Sequence, residues 1–262
     1  MNKSIKLFYR FLKTFGLDPL IFINSILSIP FFVKDYYKIR IQKKNNNTFF
    51  FGNIFPILNE RFQESGTMSG HYFHQDILIA RKIFINKPIR HLDIGSRTDG
   101  FVAHVSVFRE IEVIDIREQK SEVKNIHFTK ANLMELPIEM INYCDSISSL
   151  HAIEHFGLGR YGDPIDYFGY LKAIENIHLI LQPNGKFYFS TPIGTQRIEF
   201  NAHRVFSISY LINLFEKNFY INEFSYVDDK GNLFENISLS EEGIMKNYNC
   251  NYGCGIFILT KK

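Results

Sequence analysis

Along residues 69–262, segments whose hydrophobic positions have a helical period alternate with short apolar runs typical of strands. Segments of helical period predict helices over "SGHYFHQDILIARKIF" (69–84), "DGFVAHVSVFRE", "PIDYFGYLKAIENIHLIL" and "SISYLINLFEK". In the first of these, the side predicted to be buried carries Ile77, Ile79, Ala80 and Ile83. Short apolar runs between the helices predict strands at "IRHLDIG", "IEVIDI", "NIHFTKANL", "CDSISSLHAIEH" and "GKFYFSTP". This alternation predicts an α/β fold, with a mostly parallel sheet and helices on both faces.

Two further strands are predicted near the C-terminal end, at "FYINEFSYVDD" and "CGIFILTKK". Because no clear helix separates them, one of them is expected to be an antiparallel edge strand. The breaker "QPNG" (182–185) is predicted to end the preceding helix in a turn. The predicted sheet therefore has seven strands.

The first 48 residues differ in composition from the rest, and we predict a basic helical extension over residues 1–48 and one domain over residues 49–262. Residues 1–44 hold nine Lys and Arg against two Asp, a net charge of +7, while the whole chain carries +3. The run "IQKKNNNT" (41–48) is typical of a linker. The apolar run from Pro19 to Val33 is interrupted by polar residues and Pro30, and it is shorter than the about 20 residues that span a bilayer. It also lacks a secretory cleavage site.

The three cysteines are too few for a disulfide framework, which favours a reducing, cytoplasmic setting. Cys250 and Cys254 are separated by three residues, but no second Cys or His pair lies close by in the sequence. A structural zinc site normally needs four ligands, so no metal is predicted here.

The ends of the first two predicted strands suggest a nucleotide-type cofactor. Asp93 and Gly95 fall in the first strand-to-helix turn, and Asp115 ends the second strand, where a carboxylate can accept both ribose hydroxyls. A dinucleotide would need G-x-G-x-x-G around its pyrophosphate, whereas Arg97 and Asp99 stand between the glycines here. Asp99 would repel a pyrophosphate but suits the N-cap of a helix. The turn therefore favours S-adenosylmethionine, whose sulfonium is positive.

Further cofactor contacts are expected at the ends of the third and fourth strands. In "KANLMELP", Asn132 and Leu133 are placed to meet the edge and face of an adenine, and "SLH" ends the fourth strand where the methyl group would lie. The residues assigned to the cofactor are Asp93, Gly95, Ser96, Asp115, Ile116, Asn132, Leu133 and Leu150.

The order "HLDIGS…VIDI…ANL…SLHAIEH…NGKFYFSTP" resembles the class I, seven-strand methyltransferases that use S-adenosylmethionine. The strings "SGHYFHQD", "DIGSRTDGFVAHV", "LHAIEHFGLGRYGDPID" and "FNAHRVFS" are similar to a bacterial family catalogued as a domain of unknown function, number 268, over about residues 65–210. The resemblance implies a Rossmann-like methyltransferase sheet and often a setting among surface-polysaccharide genes. The chain departs from the usual D-x-G-x-G-x-G turn at Arg97 and Asp99.

The stretch "LHAIEHFGLGRYGDP" also matches H-x-x-E-H, a zinc-hydrolase signature formed here by His151, Glu154 and His155. That signature needs a long helix and a further ligand. A strand precedes it here, and Gly157 and Gly159 follow it, so a metallohydrolase is the weaker interpretation.

Two loops are predicted to hold the methyl acceptor. "GLGRYGDPID" carries Arg160, Tyr161 and Asp163, and Asp163 is also expected to cap a helix that starts at Pro164. "TPIGTQRIEFNAHRVFS" carries Arg197, His203 and Arg204, which could grip an anionic acceptor. The alternatives are a mere connector and ordinary surface charge. A hydroxyl acceptor needs a base, and His155, His151 and His203 are the candidates.

The sequence thus predicts an S-adenosylmethionine-dependent O-methyltransferase. The expected acceptor is a sugar hydroxyl, or a phosphoryl or phosphoramidate substituent, of a bacterial surface polysaccharide, presented alone or linked to a nucleotide or phosphate. Nucleic acid is not expected as a partner, and the basic N-terminus could contact a membrane peripherally. The alternative outside the enzymes is a scaffold protein that has kept the fold and lost catalysis.

Overall fold

The computed structural model describes residues 3–44, 46, 48–135 and 138–262. Their contacts divide the chain into two units, Met1–Thr67 and Met68–Lys262. The first unit contains α1 (Lys3–Thr14) and α2 (Pro19–Lys43). The Asp18 side chain caps α2, because it accepts hydrogen bonds from the amides of Leu20 and Ile21. The N-terminal segment is therefore helical, and α2 runs through Pro30 into the stretch predicted as a linker.

The first unit exposes many large apolar side chains, among them Leu7, Phe8, Phe22 and Leu27. Among the described helices, none is by itself long and apolar enough to cross a membrane. The segment Leu7–Thr14 and α2, bent by 76°, meet that test only as a pair, by length and composition.

The second unit is built on one eight-stranded sheet in the order β3-β2-β1-β4-β5-β10-β8-β9. Its strands are β1 (His91–Ile94), β2 (Ile111–Asp115), β3 (Ile126–Lys130), β4 (Cys144–Leu150), β5 (Leu181–Ile193), β8 (Phe219–Val227), β9 (Leu233–Phe234) and β10 (Gly253–Lys261). The first five run parallel to one another, as the strand–helix alternation predicted. β6 (Arg197–Glu199) and β7 (His203–Val205) form a separate antiparallel ribbon.

The sheet differs from the predicted one in two respects. It has an eighth strand, β9, whose two residues pair antiparallel with β8 at the edge and are too few to produce a periodic signal. The last strand, β10, is not at the edge but lies between β5 and β8, antiparallel to both. β10 is buried along nearly its whole length, which agrees with its position inside the sheet.

The helices of the second unit lie on both faces of the sheet, as predicted. They are α3 (His71–Asn86), α4 (Ala103–Ser106), α5 (Gly169–Ile180), α6 (Ile208–Phe215) and α7 (Glu241–Met245). On β5, Phe187 and Phe189 belong to the core cluster that includes α5 and α6. Tyr188, between them, belongs to the cluster that includes Ile79 of α3. Successive side chains of a strand point to opposite faces, so β5 fills both cores.

Several predicted details of the helices are wrong. Ile77 is exposed, whereas Leu78 is buried in its place. The helix expected from Pro164 begins at Gly169. The segment after β1 is one π-helical turn, Thr98–Val102, followed by the short α4. The breaker at 182–185 lies within β5, which starts at Leu181 directly after α5.

Candidate functional site

A cleft opens at the carboxyl ends of β1, β2 and β4, the edge where parallel sheets of this kind bind ligands. It brings together residues that are far apart in the sequence. The predicted site residues that line it are Gly95, Asp115, Ile116, Asn132, Leu133, His151, His155, Tyr161 and Asp163. Its remaining wall is mostly apolar, with Ile94, Ile114, Met134 and Phe156 among the lining residues.

Asp93 and Ser96, predicted to touch the cofactor, lie beneath the cleft rather than in its lining. Asp93 is fully buried, and its Oδ1 accepts hydrogen bonds from Ser96 Oγ at 2.6 Å and Ser148 Oγ at 2.5 Å. Ser96 Oγ in turn accepts the Leu150 amide at 3.0 Å, and Leu150 too is outside the lining. Burial raises the pKa of Asp93 to about 7, although the serine hydrogen bonds lower it. These three residues therefore build the turn that supports the cleft.

Gly95 forms the floor of the cleft. Its φ of +69° is a conformation that other residues rarely adopt, and a Cβ added there would lie 2.9 Å from the Ala152 Cβ. Only glycine therefore lets the chain turn this tightly and leaves the backbone open to a ligand. Arg97 and Asp99, which follow, pair with each other at the surface at 2.8 Å. Asp99 lies inside the π-helical turn, whose N-cap is Arg97, so it is not the N-cap that was predicted.

Asp115 lies half-buried at the end of β2, and its partner is Arg117, a residue that was not predicted from the sequence. The guanidinium donates to both carboxylate oxygens, at 2.9 Å from Nε and 2.6 Å from Nη2. The same guanidinium lies 4.3 Å from the centre of the Tyr161 ring. Arg117 therefore connects the second strand to the loop that carries Tyr161, across the cleft lining.

Asn132 and Leu133 lie together in the wall, as the strand-end position indicated. Asn132 Oδ1 accepts the Met134 amide at 3.1 Å, which fixes the turn after β3. Leu133 is buried, and its carbonyl accepts a hydrogen bond from Asn176 of α5 at 2.8 Å. An apolar wall beside a half-buried carboxylate suits the two ends of a nucleoside, its base and its ribose.

His151 and His155 lie on either side of the buried Glu154. His151 Nδ1 is 2.7 Å from Glu154 Oε1, and His155 Nε2 is 3.8 Å from the same oxygen. The three residues occupy a left-handed turn at His151 (φ 51°) and a short 3₁₀ turn, not the long helix that a zinc hydrolase needs. Burial opposes charge on His151, but Cys254 and Glu154 raise its pKa well above the ordinary value.

His155 has a different environment from His151. Its Nδ1 is 2.6 Å from the Ala202 carbonyl, which accepts a hydrogen bond only if Nδ1 carries the proton. The assigned tautomer thus leaves the Nε2 lone pair available. Burial lowers the pKa of His155, although Glu154 raises it, so the ring is neutral near pH 7.

The loop of residues 157–166 is organised by Asp163. Its Oδ2 accepts the amides of Gly157 at 2.8 Å and Gly159 at 3.2 Å, and its Oδ1 accepts the Tyr161 amide at 3.2 Å. Asp163 therefore holds the loop closed and does not cap a helix, since α5 starts six residues later.

Four of the residues predicted as the base or as acceptor contacts also lie outside the cleft lining. Arg204 is buried, and it donates to the carbonyls of Phe156 at 2.6 Å and Tyr167 at 3.0 Å, so its guanidinium holds two chain segments together. Arg197 donates to Glu199 and to two carbonyls. His203 has Nε2 3.7 Å from a Glu199 oxygen. Arg160 is exposed and donates to the Ala202 carbonyl at 3.0 Å.

Two buried polar residues of α3, Gln75 and Asp76, were also not predicted from the sequence. Gln75 Nε2 donates to Asp76 Oδ1 at 3.1 Å, and Gln75 Oε1 accepts Ser190 Oγ at 2.6 Å. Burial raises the pKa of Asp76 to about 6. They are buried on the same helix as Leu78 and Ile79. Only the apolar positions of this helix had been used to predict which side is buried.

Solved structures with this fold include proteins of known chemistry. The [4+2]-cyclase SpnF is 13% identical, with a TM-score of 0.50 over 72% of this chain and 80% of its own. The 1,6-didemethyltoxoflavin-N1-methyltransferase of Burkholderia thailandensis, solved with S-adenosylhomocysteine, is 13% identical with the same score over 72% and 78%. The second unit therefore has the Rossmann-like methyltransferase fold.

The profile of the family described as "Caenorhabditis protein of unknown function, DUF268" matches residues 98–253, more than half of the chain. The chain belongs to this family. The description names a nematode genus, so the bacterial setting implied by the resemblance is not confirmed. A search of curated proteins finds no match.

Proposed function

We propose that the chain is an S-adenosylmethionine-dependent O-methyltransferase. The observation that carries the proposal is the cleft itself, in which Gly95, Asp115 and Asn132 from the first three strand ends face His151 and His155 after the fourth. The shared fold supports this reading, because one neighbour of the same fold is a methyltransferase solved with S-adenosylhomocysteine. Fold alone does not fix the reaction, since another neighbour is a cyclase.

The residues present fit this cofactor. The Asp115 carboxylate would accept the ribose hydroxyls, which requires Arg117 to give up at least one of its hydrogen bonds. Leu133 and Phe156 offer an apolar wall to the adenine. Gly95 leaves its backbone open to the amino-acid part of the cofactor.

The bound cofactor supplies an electrophilic methyl group on a sulfonium, and the protein positions the acceptor and handles its proton. We assign the base to His155, because its Nδ1–H is fixed on the Ala202 carbonyl and its ring is neutral. His151 is less suited, because its Nε2, the atom that would take the proton, is buried. His203 does not line the cleft.

For the acceptor, we propose a hydroxyl that lies near an anionic group. Two guanidinium groups flank the Tyr161 ring at the cleft, Arg117 at 4.3 Å and Arg160 at 5.1 Å from its centre. Arginine forks favour phosphate and carboxylate groups. A surface-polysaccharide sugar or its phosphoryl substituent meets this description, and the sequence resemblance supports testing such compounds first.

Transfer of a labelled methyl group tests this proposal. The enzyme would be incubated with methyl-labelled S-adenosylmethionine and a panel of nucleotide sugars, sugar phosphates and neutral sugars. We expect labelled product from an anionic acceptor, and a loss of about 100-fold or more in His155→Asn, because general bases contribute about 10²–10⁴-fold. His104→Asn, an exposed histidine outside the cleft lining, is the matched control.

Full activity of His155→Asn would refute the assignment of the base. A different pair of results would instead favour a scaffold protein that has kept the fold. The protein would bind the cofactor but transfer methyl to no acceptor class, and its biological role would survive His155→Asn.

A further inference from the structure

Three potential metal ligands from distant segments meet beside the cleft. His71 opens α3, His151 follows β4, and Cys254 lies in β10. One donor atom of each lies within 4.8 Å of the other two. Imidazole nitrogen and thiolate sulfur are preferred ligands of Zn²⁺, at about 2.0–2.3 Å from the ion. Donor atoms bound to one Zn²⁺ ion lie about 3.5 Å apart. Side-chain rotations that move these atoms by about 1 Å would therefore bring all three to ligand distance.

An independent observation concerns the second ring nitrogen of His151. The residue is only 7% exposed, and its Nδ1 is occupied by Glu154 at 2.7 Å. Its Nε2 is buried and makes no hydrogen bond of normal length and angle among the described residues, and the Cys254 thiol is a neighbouring polar group. Buried polar atoms nearly always have a partner, so this nitrogen and the thiol are together suited to hold a ligand. Because Nδ1 is taken, Nε2 is the atom that His151 offers to the cluster.

Each member of the cluster is also held from outside, as metal ligands commonly are. The Glu154 carboxylate fixes His151, and the His71 ring packs against the Tyr252 ring, with centres 5.4 Å apart. The Cys254 thiol lies 3.6 Å from Gln75 Oε1. The rings of His71 and His151 are parallel, with centres 5.1 Å apart.

We propose that His71, His151 and Cys254 bind a Zn²⁺ ion, with a fourth position open to water or to an acceptor oxygen. This site is not the H-x-x-E-H signature, because Glu154 acts here through His151 and His155 is not a ligand. It reverses the expectation of no metal, and it does not depend on methyl transfer.

Metal titration of the full-length protein tests the proposal. After removal of bound metal, Zn²⁺ would be titrated against a chromophoric chelator, and Co²⁺ would be added separately to record its spectrum. We expect a single Zn²⁺ per chain and a thiolate-to-Co²⁺ absorption band. The band should be absent in Cys254→Ser and kept in Cys250→Ser, the other buried cysteine of the same segment.

Two further variants make the result robust. His71→Asn, at a half-buried position at the start of α3, should also abolish stoichiometric binding if Cys254→Ser fails to fold. Glu154→Gln should weaken Zn²⁺ binding by about 10–100-fold, the usual effect of losing a carboxylate behind a ligating histidine. The proposal is overturned if the wild type takes up no Zn²⁺, or if His71→Asn and Cys254→Ser bind it as tightly as the wild type.

Discussion

The buried carboxyl group of Asp93 makes the stability of the protein depend on pH in a way that one substitution removes. Its pKa is raised to about 7 in the folded protein, from 3.8 for an unperturbed aspartate. Between about pH 4 and pH 7 the unfolded chain has released this proton while the native protein keeps it. Because the native state then binds more protons, the free energy of unfolding falls as the pH rises through this window.

The magnitude follows from the size of the shift. About three pKa units, at about 1.4 kcal/mol each, give a cost of about 4 kcal/mol at pH 7 and above, as an order of magnitude. Asp93→Asn removes the charge and keeps the shape. The asparagine oxygen can accept the Ser96 amide, and its NH₂ group can donate to the Ser148 hydroxyl after that hydroxyl rotates.

Urea unfolding followed by circular dichroism, at intervals from pH 4 to pH 8, provides the test. We expect the free energy of unfolding of Asp93→Asn, minus that of the wild type, to increase by up to about 4 kcal/mol across this range. Buried His91, whose pKa is lowered to about 3, gives both proteins an opposite slope that cancels in the difference. Asp99→Asn, at an exposed position, is the control. A difference that stays constant with pH would refute the argument.

Three further predictions concern the cleft and its loop. Gly95→Ala should destabilise the protein by about 1–2 kcal/mol in thermal unfolding, because its φ is +69° and the new methyl group meets Ala152. Arg117→Ala should strengthen S-adenosylmethionine binding by up to about 5-fold in calorimetry, since it frees the carboxylate it pairs with. Gly157→Ala would place Cβ 1.9 Å from the Asp166 carbonyl, so the loop should open and become more sensitive to limited proteolysis.

The strands could be predicted because each is a short apolar run, and their alternation with helices identified the fold class. Their order was less accessible. Nothing local in "CGIFILTKK" says that it inserts between two earlier strands, since pairing partners are set by the whole sheet. The helix start near Pro164 was missed because Asp163 uses its oxygens to close the preceding loop instead.

Site residues at strand ends were predictable for a topological reason, because parallel strands bring their carboxyl ends to one edge. That rule places Gly95, Asp115 and Asn132 in one cleft. The rule could not show that Asp93 is buried in the turn while the other residues line the cleft. It also did not predict Arg117. The cluster that contains His71 and Cys254 could not be predicted from the sequence, because these residues form no local motif and are brought together only by the fold.

Binding of S-adenosylmethionine, measured by isothermal titration calorimetry, tests the central claim most directly. The wild type is predicted to bind one molecule per chain. Asp115→Ala should bind about 10- to 100-fold more weakly, because a hydrogen bond to a charged group contributes about 1.5–3 kcal/mol. Glu110→Ala, which alters an exposed carboxylate before the other end of β2, should bind like the wild type. No binding by the wild type, or undiminished binding by Asp115→Ala, would contradict the account.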